Sequence, residues 1–164
     1  IMMNRRTFLT TAAALGTIML LDESVHATSA TIQDQGSSPF CLFAVNAHLC
    51  DADMWHLQAT YFRRNLPTFP NTILPYNENV LSLCADLYGV SWHVADQWQW
   101  QQARDALNEG KRVAATGNGH ALVLTAWQTN GWIRYLDSLR PFDTWRMTVR
   151  EFWNWSDGWY WWVT

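Results

Sequence analysis

Four residues of this chain have side chains that together could break an acyl bond: Gln35, Cys41, His120 and Asp137. The first two bracket the stretch "QGSSPFC", residues 35–41, in which a glutamine stands six residues ahead of a cysteine with a proline between them. A thiol attacks a carbonyl only as the thiolate, and an isolated cysteine is mostly protonated at neutral pH. The start of a helix favours the negative form, because unsatisfied N–H groups and the aligned peptide dipoles gather positive charge there. Ser37 or Ser38 can cap such a helix, and Pro39 suits its first turn, where a missing N–H is no loss. Cys41 is therefore expected in the opening turn. A nearby imidazole would take its proton. The tetrahedral intermediate also needs donors where its oxyanion forms, and the nucleophile's own backbone N–H and a glutamine amide can supply them.

The imidazole best placed for this role is His120, in "GNGHALVLTAW", which opens the most apolar strand-like run of the chain. Asp137, in "RYLDSLRP", closes the following run and could orient the second ring nitrogen. Strand register tests this pairing. A two-residue turn at Asn130-Gly131 would set Asp137 opposite Leu124, out of reach of His120. A four-residue loop, Gln128 to Gly131, makes Asp137 a diagonal neighbour of His120, with Cβ atoms roughly 7–8 Å apart. The reading therefore predicts the wider loop, or a bulge.

These four residues need helices first and a sheet afterwards. A helical pattern runs from Cys41 to about Arg64, with a break expected at "CDAD"; "NLPTFPNTILPYNEN" is expected to be irregular. Further helices are expected from about Glu78 to Leu87, ending before Gly89, and over "VADQWQWQQARDALNEG", ending at Gly110. After Gly110, "RVAAT", "HALVLTAW" and "WIRYLD" read as strands. "WRMTVREFW" reads as a further strand or a short helix, and "GWYWWVT" as a last strand. The predicted class is α+β, with N-terminal helices packed on a C-terminal antiparallel sheet.

The first thirty residues stand apart. Arg5-Arg6 precede an apolar stretch from Ala12 to Leu21, and "VHATSA" offers cleavage after Ala27 or Ala30. The stretch is too short to span a bilayer. Arg-Arg-x-Phe-Leu resembles the twin-arginine export signal, an address and not an anchor. The expectation is an export signal over residues 1–30, a single domain over 31–164, a periplasmic or extracellular destination and no stable membrane insertion after removal of the signal. In an oxidising compartment three cysteines leave one unpaired. With Cys41 kept as a thiol, Cys50 and Cys84 form a structural pair or remain reduced and packed in helices. A formal charge of −3 without a basic stripe argues against a nucleic-acid surface. A composition 49 % hydrophobic excludes a disordered chain.

Gln-x5-Cys at the head of a helix, then a late Gly-His opening a buried strand and an Asp ending the next, resembles the papain-like cysteine peptidases. The nearest likeness is to the bacterial branch related to the double-glycine leader peptidases and their free-standing relatives. "ARDALNEGKRVAATGNGHALVLTAW" is similar to that branch over its whole length, and the resemblance spans residues 35–141. It implies a papain-like fold with no cofactor and a peptide or protein substrate. It further implies Cys41 as nucleophile, His120 as general base and acid, Asp137 as its orienter and Gln35 as oxyanion donor, with Gln33 the other glutamine that could serve. Two features depart from the pattern: Leu42-Phe43 follow the cysteine where many relatives carry Gly-Pro or Trp, and Asp137 precedes Ser138 where many carry Pro.

Other readings remain. The same Cys-His chemistry can deliver an acyl group to an amine, as a transferase. A non-catalytic binding module is the alternative of another class. "EFWNWSDGWYWWVT" concentrates five of the twelve tryptophans, and strand alternation sends Trp159 and Trp161 to one face and Tyr160 and Trp162 to the other. One face could stack on glycan rings or peptide side chains; an aromatic core is the alternative. His48, His56 and His93 read as non-catalytic, and no zinc-type spacing is present.

Overall fold

A computed structural model describes residues 32–34, 40–66 and 73–164, those at 73–77 by backbone alone. The expected export signal, Gln35 and the Ser37–Pro39 cap lie outside the described residues.

The first helix, α1 (Cys41–Leu49), has all nine of its residues buried. That follows from a sequence with no charged side chain in "CLFAVNAHL"; a helix apolar all round belongs in a core. Past its end at Leu49 the chain turns through Asp51, whose φ of 51° is left-handed. Asp53 then caps α2 (Met54–Arg63), its side chain accepting from the His56 N–H at 2.7 Å. The break expected at "CDAD" is therefore made by these two aspartates. The third helix, α3 (Ile73–Tyr88), starts five residues earlier than the sequence pattern suggests and takes Pro75 into its first turn, where proline is tolerated.

The sheet has six antiparallel strands in the order β1-β6-β2-β3-β4-β5. They are β1 (Trp92–Asp96), β2 (Val113–Gly117), β3 (His120–Trp127), β4 (Trp132–Leu136), β5 (Trp145–Thr148) and β6 (Ser156–Val163). One expectation is corrected here. The helix expected from Val94 onward gives up its first residues to β1, an edge strand paired with β6 from Trp92↔Val163 to Asp96↔Trp159. Asp96 then caps a short 3₁₀ turn leading into α4 (Trp100–Asn108). Tertiary pairing overrides a helical pattern that local propensity alone would favour. "WRMTVREFW" divides into β5 and α5 (Val149–Trp155), with a capping box between Thr148 and Glu151 at the junction.

Alternation along the strands builds two cores. Ala114, Ala121, Val123, Leu136 and Trp161 face α1, α2 and α3. Ala115, Leu122, Leu124, Ile133 and Tyr160 face α4 and α5. The fold is thus α+β with helices on both sides of one antiparallel sheet, and its most buried helix, α1, carries Cys41 at the tip. Gly117, the last residue of β2, must be glycine: a Cβ there would lie 2.2 Å from the Trp155 carbonyl oxygen and 2.4 Å from its ring.

The aromatic binding face is not built. β6 is paired on both edges, by β1 and β2, and helices pack on both sides of the sheet, so its faces are covered as well. Trp161 is 1 % exposed in the α1 core, and Tyr160 and Trp162 are buried on the other side. A surface for glycan or peptide through Trp159 and Trp161 therefore fails at Trp161, and the tryptophans there serve mainly as core.

Candidate active site

Phe40 is the residue that precedes the first turn of α1, and its own side chain makes no capping hydrogen bond. Its carbonyl accepts from the N–H groups of Phe43 and Ala44 at 3.0 and 3.2 Å. Helical geometry leaves the N–H of Cys41 itself without an intrahelical acceptor. Cys41 sits with its thiol at the positive end of the dipole.

β3 begins at His120, directly after the tight turn Asn118-Gly119, which pairs Gly117 with His120. On its other side, β3 pairs with β4 through Val123↔Leu136. Extending that register by one residue sets Asp137 against Leu122, diagonal to His120. Trp127 pairs with Ile133 and the Gln128 N–H donates to the Trp132 carbonyl oxygen, so the turn closes over residues 129–131, one residue short of the expected four-residue loop; the bulge between Leu124 and Ala126 supplies the remaining shift.

The two side chains meet. His120 Nε2 lies 2.8 Å from Asp137 Oδ1. The same carboxylate oxygen accepts from the Leu139 N–H at 2.9 Å. Arg140 Nη2 stands 3.5 Å from Oδ2. With Nε2 taken by Asp137, Nδ1 is the ring nitrogen left for the sulfur, and the Cys41 thiol is hydrogen-bonded to the ring. Burial alone would pull the His120 pKa down, but the bonds to Asp137 and Cys41 and the negative charges of both prevail and push it up to about 9. For Asp137, burial works upward but is outweighed by His120, the Leu139 N–H and Arg140, which hold its carboxyl below the usual range.

Gln33 does not compete for the oxyanion role. Its amide donates to Asp53 Oδ2 at 3.0 Å, and its carbonyl oxygen accepts from the Met54 N–H, which commits it to the start of α2. Cys50 and Cys84 are unbridged, with their thiols in hydrogen-bonding contact between the end of α1 and the middle of α3. Among the described residues no group of three or more His, Cys, Asp or Glu side chains could hold a metal ion, and no helix is long and apolar enough to cross a membrane.

Sequence reasoning missed Leu139 and Arg140, whose contacts depend on the turn after Asp137. The only signal for them was their spacing of two and three residues from a carboxylate, which suits an Asx turn.

A helix-borne cysteine set against a sheet-borne histidine and aspartate, on an α+β frame of this topology, defines the papain-like architecture. Comparison with solved structures agrees. The chain is similar to the peptidase domain of Streptococcus ComA, a bifunctional ABC transporter involved in a quorum-sensing pathway, at 15 % identity and a TM-score of 0.59, over 82 % of this chain and 98 % of that one. It is similar at 15 % identity and a TM-score of 0.57 to a double-glycine motif protease from an AMS/PCAT transporter, solved in complex with a leader peptide, over 83 % of this chain and 91 % of that one. No family model matches the sequence, and no curated protein matches it.

Proposed function

We propose that this chain is a cysteine hydrolase that cleaves peptide or amide bonds through a thioester acyl-enzyme. The observation that carries the reading is the convergence of Cys41, His120 and Asp137 from three elements: the tip of α1, the start of β3 and the end of β4. The fold shared with peptidase domains supports it, and the leader peptide bound to one of them supports an extended peptide as substrate.

In this mechanism Cys41 Sγ, as the thiolate of an ion pair with the His120 imidazolium, attacks the scissile carbonyl carbon. The developing oxyanion is held by the Cys41 backbone N–H and by the side-chain amide of Gln35. The intermediate collapses, the C–N bond breaks, and His120 Nδ1 gives its proton to the leaving amine. His120 then takes a proton from water, which attacks the thioester carbon and releases the acid and the thiol. Asp137 keeps the ring oriented throughout. Residues 1–30 direct export, which places the substrate outside the cytoplasm.

Incubation of the chain with a peptide library, read by mass spectrometry, tests the proposal. Wild type should generate new termini that are absent with Cys41→Ala, and Gln35→Ala should slow their appearance while Gln33→Ala leaves the chemistry intact. Products that persist with Cys41→Ala overturn the assignment. Products joined to an added amine in place of water indicate acyl transfer.

A further inference from the structure

Asp137 is gripped from two sides. On one, Oδ1 faces His120 and the Leu139 N–H. On the other, Arg140 reaches back to Oδ2 at 3.5 Å. Arg140 is itself fixed at three points. Its N–H donates to the Asp137 carbonyl oxygen at 2.9 Å, its own carbonyl accepts from Trp145 Nε1 at 3.2 Å, and its guanidinium carbon sits 4.3 Å from the centroid of the Trp145 ring. Trp145 is placed by the sheet, where it pairs with Tyr135, two residues before Asp137. A cation over an indole face is attracted to the ring's negative quadrupole. The edge strand β5 therefore seats a positive charge against the far oxygen of the aspartate.

From this geometry we propose that Arg140, seated on Trp145, is a positioning residue of the site: it fixes the Asp137 carboxylate and limits how tightly His120 holds its proton. The proposal rests on the hydrolase reading above for its catalytic meaning, though not for its test. One carboxylate is shared between two cations, His120 through Oδ1 and Arg140 through Oδ2. Were Arg140 neutral, the whole of its charge would act on the imidazolium, which would release its proton to a leaving amine less readily. Among the described residues, Cys41 on α1 also acts on His120, and Tyr135 on β4 feels Asp137, Arg140 and Glu151 of α5. Burial, with help from Asp137 and Glu151, keeps the Tyr135 phenol neutral against the pull of Arg140. Arg140 is thus the cation that sets the balance from the aspartate's side.

The test is an NMR titration of the His120 ring in the full chain, alongside the pH dependence of Cys41 alkylation by iodoacetamide. Arg140→Gln should raise the His120 midpoint by about half a pH unit, about three-fold tighter proton binding, and move the alkaline limb of alkylation upward equally. Arg140→Lys should restore most of the midpoint, since the charge remains. A purely structural role would leave the midpoint in place, and an unmoved midpoint in folded Arg140→Gln overturns the proposal. Should that variant fail to fold, Trp145→Leu, which removes the seat, is read by the same midpoint with the same criterion. A shifted midpoint in a chain whose wild type cuts no peptide sinks the hydrolase reading and leaves the clamp on His120 standing.

Discussion

Trp161 Nε1 donates a 2.7 Å hydrogen bond to Asn46 Oδ1 across 115 positions of sequence, and both residues are buried. The bond ties the middle of α1 to β6, an interior strand, and so fixes the helix that presents Cys41. Asn46→Ala leaves the indole N–H without that acceptor and should destabilise the fold by about 1–3 kcal/mol. Urea unfolding followed by tryptophan fluorescence measures this, and a midpoint equal to wild type would show that the bond contributes nothing.

In the proposed mechanism His120→Ala removes both the ion-pair partner of the sulfur and the acid that serves the leaving group. Turnover should drop by about 10²–10⁴-fold, with the circular dichroism spectrum unchanged. Iodoacetamide labelling of Cys41 at neutral pH should slow in parallel, whereas labelling of Cys50 and Cys84 should not respond.

Turnover should fall on the alkaline side near pH 9, where the His120 imidazolium deprotonates. The same shift bears on stability. Because the folded value is raised from 6.5 to about 9, the contribution of His120 is complete below pH 6.5 and is lost as pH rises through 9. Asp137 runs the other way: its lowered folded value makes its contribution complete above the ordinary 3.8 and lost as pH falls through that lowered value. Activity profiles and melting curves over pH 3 to about 10 check both signs.

His48 should make the fold acid-sensitive independently of the active site. It lies two turns along α1 from Cys41, its Nε2 is buried without a partner, and burial, with Arg112 nearby, lowers its pKa from 6.5 to about 4. Stability should fall as pH drops from 6.5 through 4, since the unfolded chain binds the proton that the folded one refuses. A His48→Asn variant should flatten that slope. A slope unchanged in the variant would assign the loss to other groups.

Gly117→Ala should destabilise by about 1–3 kcal/mol, because backbone at Trp155 must move to admit the methyl group. Since Gly117 pairs with His120, part of the loss should appear as reduced turnover in the variant that remains folded.

The meeting of Cys41, His120 and Asp137 was legible in the sequence because residue types of this kind have few other reasons to occur in that order and spacing; Gln35 lies outside the described residues. The register of β3 and β4 was inferred from the requirement that Asp137 reach His120, and the bulge that delivers it was one of the two devices expected. The residues around Arg140 were not legible, since their contacts arise from a turn and from β4–β5 pairing that no local pattern encodes. The strand at Trp92–Asp96 was hidden for a related reason: its partner, β6, lies more than sixty positions away. The tryptophans of β6 could not be sorted into core and surface by alternation, because alternation does not reveal that a strand is covered on both sides.

The Cys41 sulfur belongs to one layer of the molecule and the His120 imidazole, its proposed proton acceptor, to the other. Any loosening of α1 from the sheet, even with all secondary structure kept, would part them and quench the nucleophile before the chain unfolds. Cys41 is in this sense a built-in gauge of docking: the denaturant concentration at which its alkylation rate falls to that of an ordinary thiol marks where the two layers come apart.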